Sequence, residues 1–190
     1  MKNIEFIPKE FHDVKLGYNE TEMNPCSPGY PEELFSSNMI VINIPQKIIY
    51  RLDKDSVVQP MIPVCMLYVV SAKRSLKYDS LSQILIHMSK GGISDEIYRG
   101  DIYDNNPDLQ HEHPSIDPFA EESEKERAAM VREAQNYSEE ELDEGTDWGR
   151  FININLLDYV DIPIEAGRYE IWVTYYGLES NRAFVEIIVE

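Results

Sequence analysis

The pair His111 and His113 is the sequence's best metal candidate, because alternate residues of an extended segment point the same way and Asp104 and Asp108 lie close by. Imidazoles set among carboxylates suit zinc or another transition metal. A third fixed ligand is not evident, and Asn105, Asn106 and Pro107 mark the surroundings as loop, so a solvent-exposed histidine pair is the default and no metal is assigned. The run Asp104-Asn105-Asn106-Pro107-Asp108 is rich in oxygen ligands but lacks the central glycine and closing glutamate of a calcium loop. No Gly-x-Ser-x-Gly elbow or phosphate-cradling Gly-x-x-x-x-Gly-Lys loop occurs. His87 sits inside an apolar run and reads as a core or sheet-face residue. Carboxylates are so numerous that no pair stands out as a glycosidase dyad.

Cys65 lies between Val64 and Met66, a setting for a small core hydrophobe rather than a nucleophile, and Cys26 lies in the turn-rich Asn24-Pro25-Cys26-Ser27-Pro28-Gly29. Two such cysteines make no disulfide framework. Arg99-Gly100-Asp101 matches the integrin tripeptide, and Asn19-Glu20-Thr21 and Asn136-Tyr137-Ser138 match glycosylation sequons. A chain beginning Met1-Lys2-Asn3-Ile4-Glu5 reads as lacking a signal peptide and therefore as cytoplasmic, so Arg99 to Asp101 is expected to be a turn at a strand end. No catalytic residue and no cofactor is assigned.

Charge carries more information than any of these motifs. The 190 residues have 17 Lys plus Arg against 35 Asp plus Glu, a formal charge of -18. Such a chain repels nucleic acid and anionic lipid and is steered toward basic partners. Residues 101 to 147 hold 16 acids and 3 bases, so one segment carries -13 of the total and the rest of the chain is close to neutral. The longest apolar stretch, near Met61 to Val70, is too short to cross a bilayer and contains Pro63.

Around these residues the chain reads as all-β. Residues 1-37 form an N-terminal arm with one short strand at Ile4 to Ile7. Residues 38-190 form a β-sandwich interrupted by an acidic insertion at 103-147. Strands are expected at Met39 to Ile44, Ile62 to Ser71, Leu81 to Ser89, Glu96 to Ile102, Phe151 to Leu156, Tyr169 to Tyr176 and 183 to 189, from short β-branched or alternating runs bounded by turn residues. The unbroken apolar run to Ser71 predicts a central strand covered on both faces. About seven antiparallel strands make a sandwich.

Glu165-Ala166-Gly167-Arg168-Tyr169-Glu170-Ile171 resembles the acid-x-Gly-x-Tyr-x-Cys signature that opens strand F of immunoglobulin-like domains, with Ile171 in the place of the second cysteine. The resemblance implies an immunoglobulin-like antiparallel sandwich in which the Tyr169 hydroxyl bonds back to the backbone upstream. It also places Cys65 on strand B with no inter-sheet disulfide, in keeping with a reducing compartment. It implies a fold and no activity.

In the insertion, Asp117-Pro118 reads as an N-cap and first helical position, with a surface helix over Phe119 to Gln135 and Glu121 and Lys125 at i, i+4 spacing. Ser138-x-x-Glu141 reads as the capping box of a second short helix. The expected function is a non-enzymatic binding module, an acidic inhibitor or immunity-type protein that occludes a basic protein partner. The expected contacts are Glu121, Glu122, Glu124, Glu139, Glu140 and Glu141, with Trp172 and Tyr176 as aromatic anchors on the face opposite Tyr169 and Ile171. Alternative readings are a structural subunit of a secretion or surface apparatus, pairing through a sheet edge or the arm, and a metal-dependent hydrolase centred on His111 and His113. Oligomeric state is left open.

Overall fold

The computed structural model describes residues 4–17, 20–29, 38–51, 60–91, 96–103, 120–144 and 147–190. The central strand of its smaller sheet is β4 (Pro63–Ser71), whose nine residues are all buried. Alternation puts Val64, Met66, Tyr68 and Val70 on one face and Cys65, Leu67 and Val69 on the other, and both faces are covered, as the unbroken apolar run predicts. On either side lie β2 (Met39–Asn43) and β7 (Asp147–Asn155), both antiparallel to it, with Met66 opposite Ile42 and Ile152.

The larger sheet runs in the order β1 (Ile4–Ile7), β3 (Lys47–Tyr50), β10 (Ala183–Val189), β8 (Gly167–Tyr175), β5 (Ile84–Lys90) and β6 (Ile97–Ile102). A two-residue strand, β9 (Leu178–Glu179), pairs with the end of β8. The inner side chains of this sheet, including Ile48, Ile86, Ile171 and Ile187, are fully buried against β4 and its neighbours. The protein is thus mostly β, two sheets around one core. Each expected strand is present, but β3 and β9 were not anticipated, because runs of four and two residues are too short to show a period. The expectation of a wholly antiparallel sandwich is corrected at one joint: β10 runs parallel to β3, with Ile187 beside Ile48. A long connection between these strands permits the parallel pairing that a hairpin forbids.

Three α-helices and three single 3-10 turns, at Lys9–Phe11, Asp79–Leu81 and Leu156–Asp158, complete the described structure. α1 (Ala72–Lys77) follows β4 directly, capped by Ser71, whose hydroxyl accepts from Arg74 N. α2 (Ala120–Ala134) and α3 (Glu139–Leu142) occupy the acidic insertion close to where its sequence places them. The capping box forms: Ser138 N donates to the Glu141 carboxylate at 2.7 Å and Glu141 N to Ser138 Oγ at 3.3 Å.

Two expectations are overturned. Cys26 and Cys65 are joined in a disulfide, with Cα atoms 6.0 Å apart, so neither is the free thiol expected. The arm makes this pairing by folding back over the smaller sheet. Gly17 N donates to Asn153 O at 2.7 Å, Asn153 Nδ2 donates to the carbonyls of Glu20 and Glu22 at 3.0 Å, and Asn43 Nδ2 donates to Cys26 O at 2.9 Å. Arg99-Gly100-Asp101 is not a turn but lies within β6, where Gly100 is required because a Cβ would collide with the Tyr159 carbonyl. Tyr169, in contrast, makes the expected corner, its hydroxyl donating to Glu165 O at 3.0 Å.

Candidate protein-binding surface

The acidic insertion meets the body of the protein at α1, a short basic helix bearing Lys73, Arg74 and Lys77. The Arg74 side chain is 8% exposed and places Nη2 2.8 Å from the Glu139 carboxylate. The other oxygen of Glu139 accepts from the Tyr78 hydroxyl at 2.8 Å. Lys77 donates to Tyr137 O at 2.6 Å, and Lys73 pairs with Glu144 at 3.2 Å. Between these polar ties Leu142 is fully buried, and its carbonyl accepts from Ser71 Oγ and from Asn38 Nδ2. The Tyr78 hydrogen bond, with the Arg74 guanidinium beside it, holds the Glu139 carboxyl below the usual glutamate range. The Ser138 amide does the same for Glu141.

These contacts divide the glutamates expected to face a partner. Glu139 and Glu141 are committed within the chain, one to α1 and one to its own helix cap. Glu124 and Glu140 are exposed and have no ion-pair partner among the described residues, and the same holds for Glu126 and Glu133. Glu121 and Glu122 fall in the first turn of α2, but their side chains lie outside the described residues. His111 and His113, with Asp104 and Asp108, also lie outside them.

The reason α2 stands free is its composition. Every residue from Ser123 to Met130 is exposed, alanines included, and Met130 is 52% exposed. Only Val131 and the fully buried Ala134 reach the body, near the helix end that Gln135 fastens by donating to Lys77 O. Arg127 adds an ion pair to Asp79. A helix with so thin an apolar stripe buries little of itself.

The two expected anchors are enclosed. Trp172 is 6% exposed on the outer face of the larger sheet, where His87 stacks on one side of it at 5.1 Å and the Arg182 guanidinium lies over its ring at 4.4 Å. His87 also hydrogen-bonds Thr174 at 3.0 Å, and burial, then the Arg99 charge, push it below the ordinary histidine range, so it is a neutral ring at pH 7. Tyr176 is not a strand residue. It forms a two-residue turn with Gly177, φ being 47° and 75°, as a tight hairpin between β8 and β9 demands. Its ring packs against Tyr175 and Trp148. Trp148, 41% exposed at the start of β7, is a solvent-facing aromatic that sequence reasoning missed. Its signal was hidden because the strand begins four residues before the alternating run Phe151 to Leu156.

No helix among the described residues is long and apolar enough to cross a membrane. The chain matches no known protein family, no curated protein and no solved structure.

Proposed function

We propose that the protein is a non-enzymatic binding module, an acidic inhibitor or immunity-type protein that captures a basic protein partner with the free part of α2. The observation that carries this reading is the helix exposed on all sides from Ser123 to Met130, with Glu124, Glu126 and Glu133 uncommitted to any cation of the chain among the described residues. Residues 123 to 130 themselves hold two acids and two bases, so the negative field comes from the insertion as a whole, where 16 acids outweigh 3 bases over residues 101 to 147. Such a field accelerates encounter with a positive surface. Glu140, beside the clamp, extends the same field.

The scaffold fits an immunoglobulin-like sandwich. β2, β4 and β7 correspond to strands A, B and E of that fold, β5, β6, β8 and β10 to C, C′, F and G, and the acidic insertion takes the place of strand D. The Tyr169 corner supports the same assignment. The Cys26–Cys65 pair favours an oxidising compartment for this encounter over the cytoplasm.

The test is capture from native lysate with the intact chain and with a variant carrying Lys at 124, 126, 133 and 140, each at low and raised salt. Charge reversal is preferred to deletion of the insertion, which would also remove Leu142 and Glu139 from the fold. A basic protein retained by the intact chain, lost at high salt and absent with the variant, is the expected result. Equal retention by both would sink the proposal.

A further inference from the structure

Apart from the two-residue β9, four strands form the edges of the two sheets among the described residues, and three of them are capped. On β1 the His12 ring lies against the free side, Nε2 being 3.2 Å from both N and O of Phe6. On β2 the Asn181 side chain acts as a strand of one residue, accepting from Ile42 N at 2.8 Å and donating to Ile42 O at 3.1 Å. On β7 the arm bridges Asn153 through Gly17 and Glu20. Among the described residues no group caps β6, which contains neither proline nor lysine. Such an edge is a template for another strand.

We propose that the β6 edge is a self-pairing surface, on which a second copy of this chain adds its own β6 antiparallel across a two-fold axis at Gly100. The sequence Ile97-Tyr98-Arg99-Gly100-Asp101-Ile102-Tyr103 is complementary to itself in that register. With Gly100 opposite Gly100, Arg99 faces Asp101 of the second copy, and symmetry repeats the pair. Ile97 faces Tyr103 and Tyr98 faces Ile102. Neither Arg99 nor Asp101 has an ion-pair partner among the described residues, and both are exposed. Ile97 and Tyr103 are 54% and 56% exposed, the large apolar residues flanking the charged pair. One contact therefore supplies partners for two unpaired charges and cover for two exposed apolar side chains, and it joins the two larger sheets into one. A shift of register by one residue sets Arg99 against Gly100 and forfeits the ion pairs. Tyr159 and Val160 lie where a side chain of residue 100 would stand, off the plane of the strand rather than along its hydrogen-bonding edge.

The experiment is sedimentation velocity on the full chain over a range of concentrations at low salt, with R99D, D101R, their equimolar mixture and the R99D/D101R double variant. The native chain is expected to dimerise. Each single variant sets like charges opposite one another twice, so its dimer dissociation constant should rise about tenfold or more. The mixture and the double variant restore opposite charges at both positions and should dimerise like the native chain. A native chain that stays monomeric at every concentration would overturn the proposal, and so would a dimer that both single variants leave unchanged. Circular dichroism of each variant separates loss of pairing from loss of fold. Charge reversal on α2 should leave self-association unchanged, which separates this surface from the proposed partner site.

Discussion

The N-terminal arm and the acidic insertion are both additions to one sandwich, and they are held in opposite ways. The arm gives β1 to the larger sheet and then crosses the smaller one, where the Cys26–Cys65 disulfide and the backbone and amide of Asn153 hold it. Among the described residues the insertion is tied mainly near its C-terminal end, through Leu142, Glu139 and the last turn of α2, with one ion pair from Arg127 to Asp79 midway along the helix. What distinguishes them is where the anchors fall. An appendage fastened along its length becomes part of the core wall, whereas one fastened at its foot presents a helix to solvent.

The strongest way to break this comparison is Cys26→Ser. The disulfide closes a loop over a sequence separation of 39, and its loss should lower stability by about 4 kcal/mol in urea unfolding. A loss below about 1 kcal/mol would mean that the hydrogen bonds to Asn153 hold the arm unaided. Leu142→Ala should come next, at about 3 kcal/mol, because the side chain is fully buried beneath the clamp. Amide exchange should then spread from α3 into the last turn of α2, and exchange unchanged there would show that α2 has another anchor.

Glu139→Gln tests the polar half of the clamp and should lower the melting temperature less than Leu142→Ala, since the Glu139 carboxylate is largely solvated. Its pH dependence has a definite sign. The carboxyls of Glu139 and Glu141 are depressed in the folded chain, so their contribution is complete above the unfolded glutamate value of about 4.3 and is lost as pH falls through the folded values. Acid unfolding of Glu139→Gln should accordingly be less steep below that pH, and an identical acid limb would remove Glu139 from the clamp. The smallest effect on stability is expected for Lys at 124, 126 and 133, within about 0.5 kcal/mol, because these residues touch nothing that folding requires. That variant sharpens the comparison by separating binding from folding: association with a basic partner should slow while the unfolding midpoint stays in place.

Much of the framework was legible along the chain. Met39 to Asn43 announces itself by a short β-branched run ahead of Pro45, Ala183 to Val189 by alternation, β4 by its unbroken apolar run, and α3 by Ser138 and Glu141 three residues apart. The corner at Tyr169 was readable because donor and acceptor are four residues apart. The partner surface was only half legible. Six glutamates of one composition were proposed together, yet Glu139 and Glu141 are bound within the chain and Glu124 and Glu140 are exposed and unpaired among the described residues, a division no charge count contains. Trp172 was placed on the correct face by period two, but its cover comes from His87 and Arg182, on neighbouring strands.

By itself the sequence determined all the longer strands, the capping box of α3 and the tyrosine corner, because each depends on spacings of two to four residues, and it located the negative charge by composition; the expected cap of α2 at Asp117 and Pro118 lies outside the described residues. Tertiary structure alone decided that Cys26 meets Cys65, that Arg74 takes Glu139 out of the free surface, and that Asn181 closes the β2 edge while β6 carries no such cap among the described residues. Those contacts join residues 39, 65 and 139 positions apart, and the path of the chain brings such residues together where no local period does.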